Sequence, residues 1–196
     1  MKAKFLIIIG VLALIVFYGI SVNNSLVTAE ENVNGAWAQV ENQYQRRADL
    51  IPNLVNTVRG AADFESQTLQ DVIEARSRAT SVNIDANDLN NPQAFQQFQE
   101  AQGQLSGALS RLLVTVERYP ELQANQNFRD LQAQLEGTEN RISTERMRFN
   151  QAAQGFNTQI RRFPTSMFAS ILGFEQKEYF QAEQGAEQAP EVDFGN

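Results

Sequence analysis

Chemistry in this 196-residue chain has few places to start, because it contains neither histidine nor cysteine. That removes imidazole bases, thiolate nucleophiles and the commonest soft metal ligands together. The most pronounced polar cluster is Arg46-Arg47 followed by Asp49. A guanidinium offers a planar fork of donors for an anionic ligand group. Arg47, however, falls on a seam that is otherwise apolar, and there an arginine is expected to pair with a carboxylate inside a helical bundle; if the first and fourth helices are antiparallel with Ala62 near Asn125, paired positions sum to about 187, which makes Glu139 the preferred partner and Glu74 the second candidate. Glu74, Glu117, Glu139 and Glu145 lie on or beside helix seams and invite comparison with carboxylate di-metal bundles. Those sites add histidines through Glu-x-x-His pairs, and this chain has none to add. A glycosidase needs two acids at a set separation across a cleft, and no spacing here singles out such a pair. We therefore assign no catalytic, cofactor-binding or metal-binding residues and expect neither a cofactor nor enzymatic activity.

The elements that would position these groups are helical. The stretch from Val33 to Arg59 places Val33, Trp37, Val40, Tyr44, Ile51, Leu54 and Val58 at alternating fours and threes, with Arg47 filling the remaining position of the series. That spacing predicts one long helix with a single buried seam, from about Leu26 to Ala62 and able to continue straight from the segment before it. Pro52 predicts a kink, or a restart capped by Asp49. Gly60 and Asp63 favour a stop. A second helix is expected from Phe64 to about Thr80, and then a loop over Asn83 to Asn91. The third helix is capped by Asn91, carries Pro92 in its first turn and ends before Pro120. The fourth pairs with the first: Phe128, Leu131, Leu135, Thr138, Ile142, Glu145, Phe149, Ala152, Phe156, Ile160 and Phe163 keep helical spacing. Beyond Pro164 a short amphipathic helix and a strand-like tail are expected, and from Gln181 the acidic sequence has no periodicity.

Two motifs carry a resemblance. AWAQVENQYQRRADLIPNLVNTVRG, together with LLVTVERYPELQANQNFRDLQAQLEGTENRI, resembles the LemA family of membrane-anchored bacterial proteins, over Leu26 to Phe194. The resemblance implies a helical bundle behind a membrane anchor. Residue spacing points the same way, because short connections make successive helices antiparallel neighbours. The expected fold class is all-α: an N-terminal transmembrane helix followed by an antiparallel up-down-up-down four-helix bundle with two long and two shorter helices. The divisions are 1–25 anchor, 26–163 bundle, 164–180 short amphipathic segment and 181–196 acidic loose tail.

The anchor is Phe5 to Val22, 18 residues without a charge. As a helix it spans about 27 Å against a hydrocarbon core of ~30 Å. Lys2 and Lys4 precede it, and Glu30 and Glu31 are the first charges after it. The positive-inside rule then leaves the N-terminus cytoplasmic and exports the bundle from the bacterial inner membrane. The alternative is a signal peptide cleaved after Ala29. The formal charge is -7, and -9 without the two N-terminal lysines, which disfavours nucleic acid or anionic lipid as the main partner. The expected partners are the bilayer, through the N-terminal helix, and an envelope protein of unassigned identity. A further copy of the chain is expected too: if the shorter helices cover only the distal half of the long pair, Leu26, Val33, Phe156 and Ile160 need another cover, with Phe168, Leu172 and Phe174 at or beside the contact. The function read from all this is a membrane-anchored helical scaffold or interaction protein of the cell envelope. The alternative is an accessory subunit or carboxylate-based enzyme of an envelope complex.

Overall fold

In the computed structural model, which describes residues 2–60 and 65–181, every regular element is a helix and no strand occurs among the described residues. The first helix, α1 (Lys2–Arg59), runs without a break for 58 residues. At ~1.5 Å per residue that is about 87 Å, so the apolar N-terminal stretch and the buried seam belong to one rod. Next come α2 (Ser66–Ser81), α3 (Pro92–Val116), the short α4 (Pro120–Ala124), α5 (Gln126–Arg161) and α6 (Thr165–Leu172). The expected end of the first helix at Ala62, the stop at Asp63 and the start of the second at Phe64 lie outside the described residues, as does the expected loose tail beyond residue 181.

Pro52 does not restart α1. It removes the donor that would have bonded the Ala48 carbonyl, and the Arg76 Nε of α2 supplies one instead at 2.7 Å. One side chain thus satisfies the orphaned acceptor and ties α2 to α1. The third helix begins as expected, with the Asn91 side chain accepting from the Gln93 and Ala94 amides at 3.1 and 3.2 Å. Pro120 ends nothing by itself. It opens α4, where a missing N–H in the first turn costs no bond, and Asn125 then caps α5.

The loop at 83–91 is not merely polar. It contains a short 3-10 turn, and Ile84 and Leu89 plug the core at 1% and 0% exposure. After α6, Gly173 takes φ 80° and turns the chain back along α5 in extended form. This tail is not a strand, yet two asparagines on α5 treat its backbone as if it were. Asn157 accepts from the Lys177 amide at 2.9 Å and donates to the Lys177 carbonyl at 2.8 Å; Asn150 does the same for Phe180 at 2.9 Å each way. Seven helical residues and three extended ones both cover about 10 Å, so the two spacings match.

The buried residues form two clusters. One, nearer the apolar end of α1, holds Leu26, Val33, Trp37, Phe95, Phe149, Phe156 and Phe180; the other holds Ile51, Leu54, Val58, Val72, Leu112 and Phe128. This corrects one expectation. Leu26, Val33, Phe156 and Ile160 do not wait for a second chain, because all four are buried within this one. The tail, α6 and the 83–91 loop supply the cover.

Candidate functional site

Arg47 lies between the two clusters, one turn beyond Tyr44 and one before Ile51, with its side chain 1% exposed. Its Nη1 donates to Glu139 Oε1 at 2.7 Å and to Ser106 at 2.8 Å, and its Nη2 donates to the Gln102 side chain at 2.5 Å. Gln102 passes its own amide hydrogen to the Ala79 carbonyl at 3.1 Å, so the layer joins α1, α2, α3 and α5. Arg47 Nε has no acceptor. Glu139 is the partner that the spacing singled out. Glu74, the second candidate, instead pairs with Arg78 on the surface of α2, and Glu145 pairs with Arg148. Arg46 is exposed and Asp49 accepts from Gln45. The arginine pair therefore does not act as one cluster.

Beside this layer, a groove of about 670 Å³ runs along α3 and α5. Gln96, Gln99, Gly103, Ser110 and Glu100 line it, with Arg47 and Glu139 at its floor. Amides and hydroxyls of this kind hold a polar ligand by hydrogen bonds but activate no nucleophile. Its two carboxylates are already engaged, Glu139 by Arg47 and Glu100 by the Gln96 amide at 2.8 Å. Among the described residues, no three of the Asp and Glu side chains gather closely enough to hold a metal ion.

Three features near the aromatic cluster escaped the sequence. Trp37 Nε1 donates to the Ile84 carbonyl at 3.2 Å, and its ring meets Phe98 and Phe149 at 5.4 Å and stacks on Phe180 at 6.0 Å. Lys177, 7% exposed, pairs with Glu30 at 2.8 Å and so fastens the tail to α1. Glu41, near Asp85, has its carboxyl pushed above the usual range, first by burial and then by that neighbouring charge. Each depends on a partner from a segment without helical periodicity, the 83–91 loop or the tail, which spacing could not name.

The remaining surface of note is the spine. From Phe5 to Ile20 the large apolar side chains of α1 are exposed, most of them by half or more. That part of α1 is long and apolar enough to cross a membrane.

Comparison with known proteins places these features in a lineage. The LemA family profile matches residues 36–194. Magnetosome protein MamQ 2 of Paramagnetospirillum magneticum is 26% identical over 199 residues, covering 90% of this chain and 71% of that one. Magnetosome protein MamQ of Magnetospirillum gryphiswaldense is 25% identical over 173 residues, with 80% and 64% covered. Protein LemA of Metamycoplasma hominis is 23% identical over 180 residues, with 91% and 78% covered.

Proposed function

This chain belongs to the LemA family, and from that premise we propose that it is a membrane-anchored scaffold or interaction protein of the bacterial envelope, without catalysis. The observation that carries the proposal is the continuity of α1: the exposed apolar span and the buried seam from Val22 to Val58 are one helix. A rod of this kind holds a folded body at a fixed attitude to a bilayer, whereas an enzyme on a tether needs no such stiffness. The relatives named as magnetosome proteins and the one named LemA suggest a structural part reused in several settings.

The body is an antiparallel up-down-up-down four-helix bundle in this reading. Arg47 with Glu139 and Trp37 with Phe149 both total 186, the constant sum expected when α1 and α5 run in opposite directions. Lys2 and Lys4 put the N-terminus in the cytoplasm and the bundle on the far side of the inner membrane. Retention of the span is favoured over cleavage after Ala29, because cleavage would strip Val22 and Leu26, 7% and 0% exposed, from the core. A reporter fused after residue 196 is expected to be active only when exported, with the chain retained by membranes after alkaline extraction. A released chain beginning near Glu30, or a reporter active only in the cytoplasm, refutes the anchored topology.

The groove beside Arg47 favours the second reading, an accessory subunit that binds a polar ligand. A stoichiometric small molecule retained by the purified protein would favour it over the scaffold.

A further inference from the structure

The apolar surface of the spine does not stop at the end of the span. Phe163, Met167, Ile171 and Leu172 are 81%, 59%, 82% and 46% exposed, and all lie on or just before α6. At about 100° per residue, Met167 and Ile171 share an arc of roughly 40°, while Phe168, about 60° beyond Ile171, turns to α1 and Leu172 lies on its far side. The opposite side of α6 faces inward through buried Ala169.

The place where α6 docks gives that arc its meaning. The Phe168 ring meets Tyr18 edge-on at 5.5 Å and lies so close to Gly19 that a Cβ there would be 3.0 Å from it. Tyr18 is four residues inside the end of the span at Val22, about 6 Å along the helix. Helices that lie in a membrane interface bury their apolar face ~5–10 Å into the boundary between head groups and acyl chains, which is the level at which α6 sits. Tyrosine also favours this level.

Charge supports the same occupant. Arg161 and Arg162 are exposed and immediately precede the apolar face, and no carboxylate among the described residues lies within ion-pair distance of either. Arg162 also lines a recess of about 270 Å³ with Tyr18, Ser21 and Ser25, at the mouth of the span. The net charge of -9 beyond the anchor therefore does not describe the entry to α6, which opens on these two arginines; exposed Glu175 follows α6 and accepts from the Asn90 side chain. Guanidinium groups at the head-group level attract anionic lipid.

We propose that α6 is a second membrane contact: an interfacial helix that sinks Met167 and Ile171 into the leaflet where the span ends, with Arg161 and Arg162 directed to lipid phosphates. The proposal rests on the reading of residues 5–22 as a membrane span. With two points of attachment the tilt of the rod is restricted, so the height at which the helical body stands over the leaflet is fixed.

The chain has no cysteine, so single spin labels can be placed without removing native thiols. The full-length protein is labelled at Leu14→Cys in the span, at Ile171→Cys on α6 or at Glu121→Cys at the distal end, and reconstituted into vesicles of phosphatidylethanolamine and phosphatidylglycerol. All three positions are exposed, so the label displaces no core. Relaxation by dissolved oxygen and by an aqueous nickel chelate then reports depth. The expected result is an oxygen-to-nickel ratio several-fold higher at positions 14 and 171 than at 121, with 171 shallower than 14. If position 171 behaves like 121 while 14 reads as lipid, the proposal fails and the span stands; nickel access at position 14 overturns both. Shielding of position 171 from both reagents, with spin–spin broadening, would mean that a second copy covers α6 and also overturns the proposal. Arg161→Gln with Arg162→Gln should make the depth of label 171 insensitive to removal of phosphatidylglycerol. A depth that depends on that lipid equally with and without the two arginines overturns their assigned role.

Discussion

The Arg47–Glu139 pair is lopsided, and the lopsidedness decides what breaking it costs. Arg47 is 1% exposed and Glu139 is 41% exposed. Removing the arginine leaves a carboxylate that water can reach, so the loss comes mainly from the orphaned Gln102 oxygen, about 1–3 kcal/mol for a buried unsatisfied group. Removing the glutamate instead strands a buried cation beside two neutral acceptors, for which ~3–5 kcal/mol is typical. Glu139→Ala is therefore expected to lower stability more than Arg47→Met does, by denaturant unfolding in mild detergent. Equal losses would show that the charge is solvated through the groove. Glu41 gives the pH counterpart. Its raised folded-state pKa means that the folded chain holds a proton the unfolded chain has released, so stability falls as pH rises from the ordinary carboxylate range through the folded value. Glu41→Gln is expected to flatten that decline in Tm; an unchanged slope would put its source elsewhere.

Single elements are held by small substitutes for missing backbone partners, and these are what periodicity could not reveal. Helical spacing identified the partnership of α1 and α5, because it depends only on which residues share a helix face, and an antiparallel register for that pair then identified the Glu139 partner of Arg47. It left open whether α1 would continue through Pro52 or restart there, since the compensating donor, Arg76, comes from a different helix. Nor did it identify the cover of the lower seam, which comes from an extended segment and a loop that have no period at all. The motif that fixes the tail, Asn150 and Asn157 seven residues apart, looks in sequence like two ordinary polar positions. Two tests follow from these substitutes. Arg76→Met should cost about 1.5–3 kcal/mol, the range for a hydrogen bond to a charged group, and distinctly less in a Pro52→Ala background where the backbone donor returns; additive effects of the two changes would refute the link. Asn157→Leu should release the tail from α5 and move Phe180 off Trp37. Because Trp37 is the chain's one tryptophan, its emission should shift to the red, and an unchanged spectrum would mean that the aromatic stack holds the tail without the asparagine.

At the scale of the whole molecule, the polar layer at Arg47 separates two cores that different segments complete. The cluster nearer the apolar end of α1 is closed by the tail, α6 and the 83–91 loop; the distal one is closed by α2, α3 and α4. Cooperative opening follows contiguous packing, and a polar layer one side chain thick transmits less of it than interlocked apolar groups do. The long helices cross both regions, but the tail touches only one. Hydrogen exchange in detergent or nanodiscs should therefore find two units. Asn157→Leu is expected to lower protection of α1 amides from Val33 to Tyr44 while leaving those from Leu54 to Val58 close to wild type. Val72→Ala, in α2 at 0% exposure, should do the reverse, at a cost of about 1–3 kcal/mol for a buried large-to-small change. Uniform loss along α1 in both variants would mean that the rod couples the halves more strongly than the layer divides them. Separate responses would mean that the distal half of the helical body can open or change partner while the half nearer the apolar end of α1 keeps its packing.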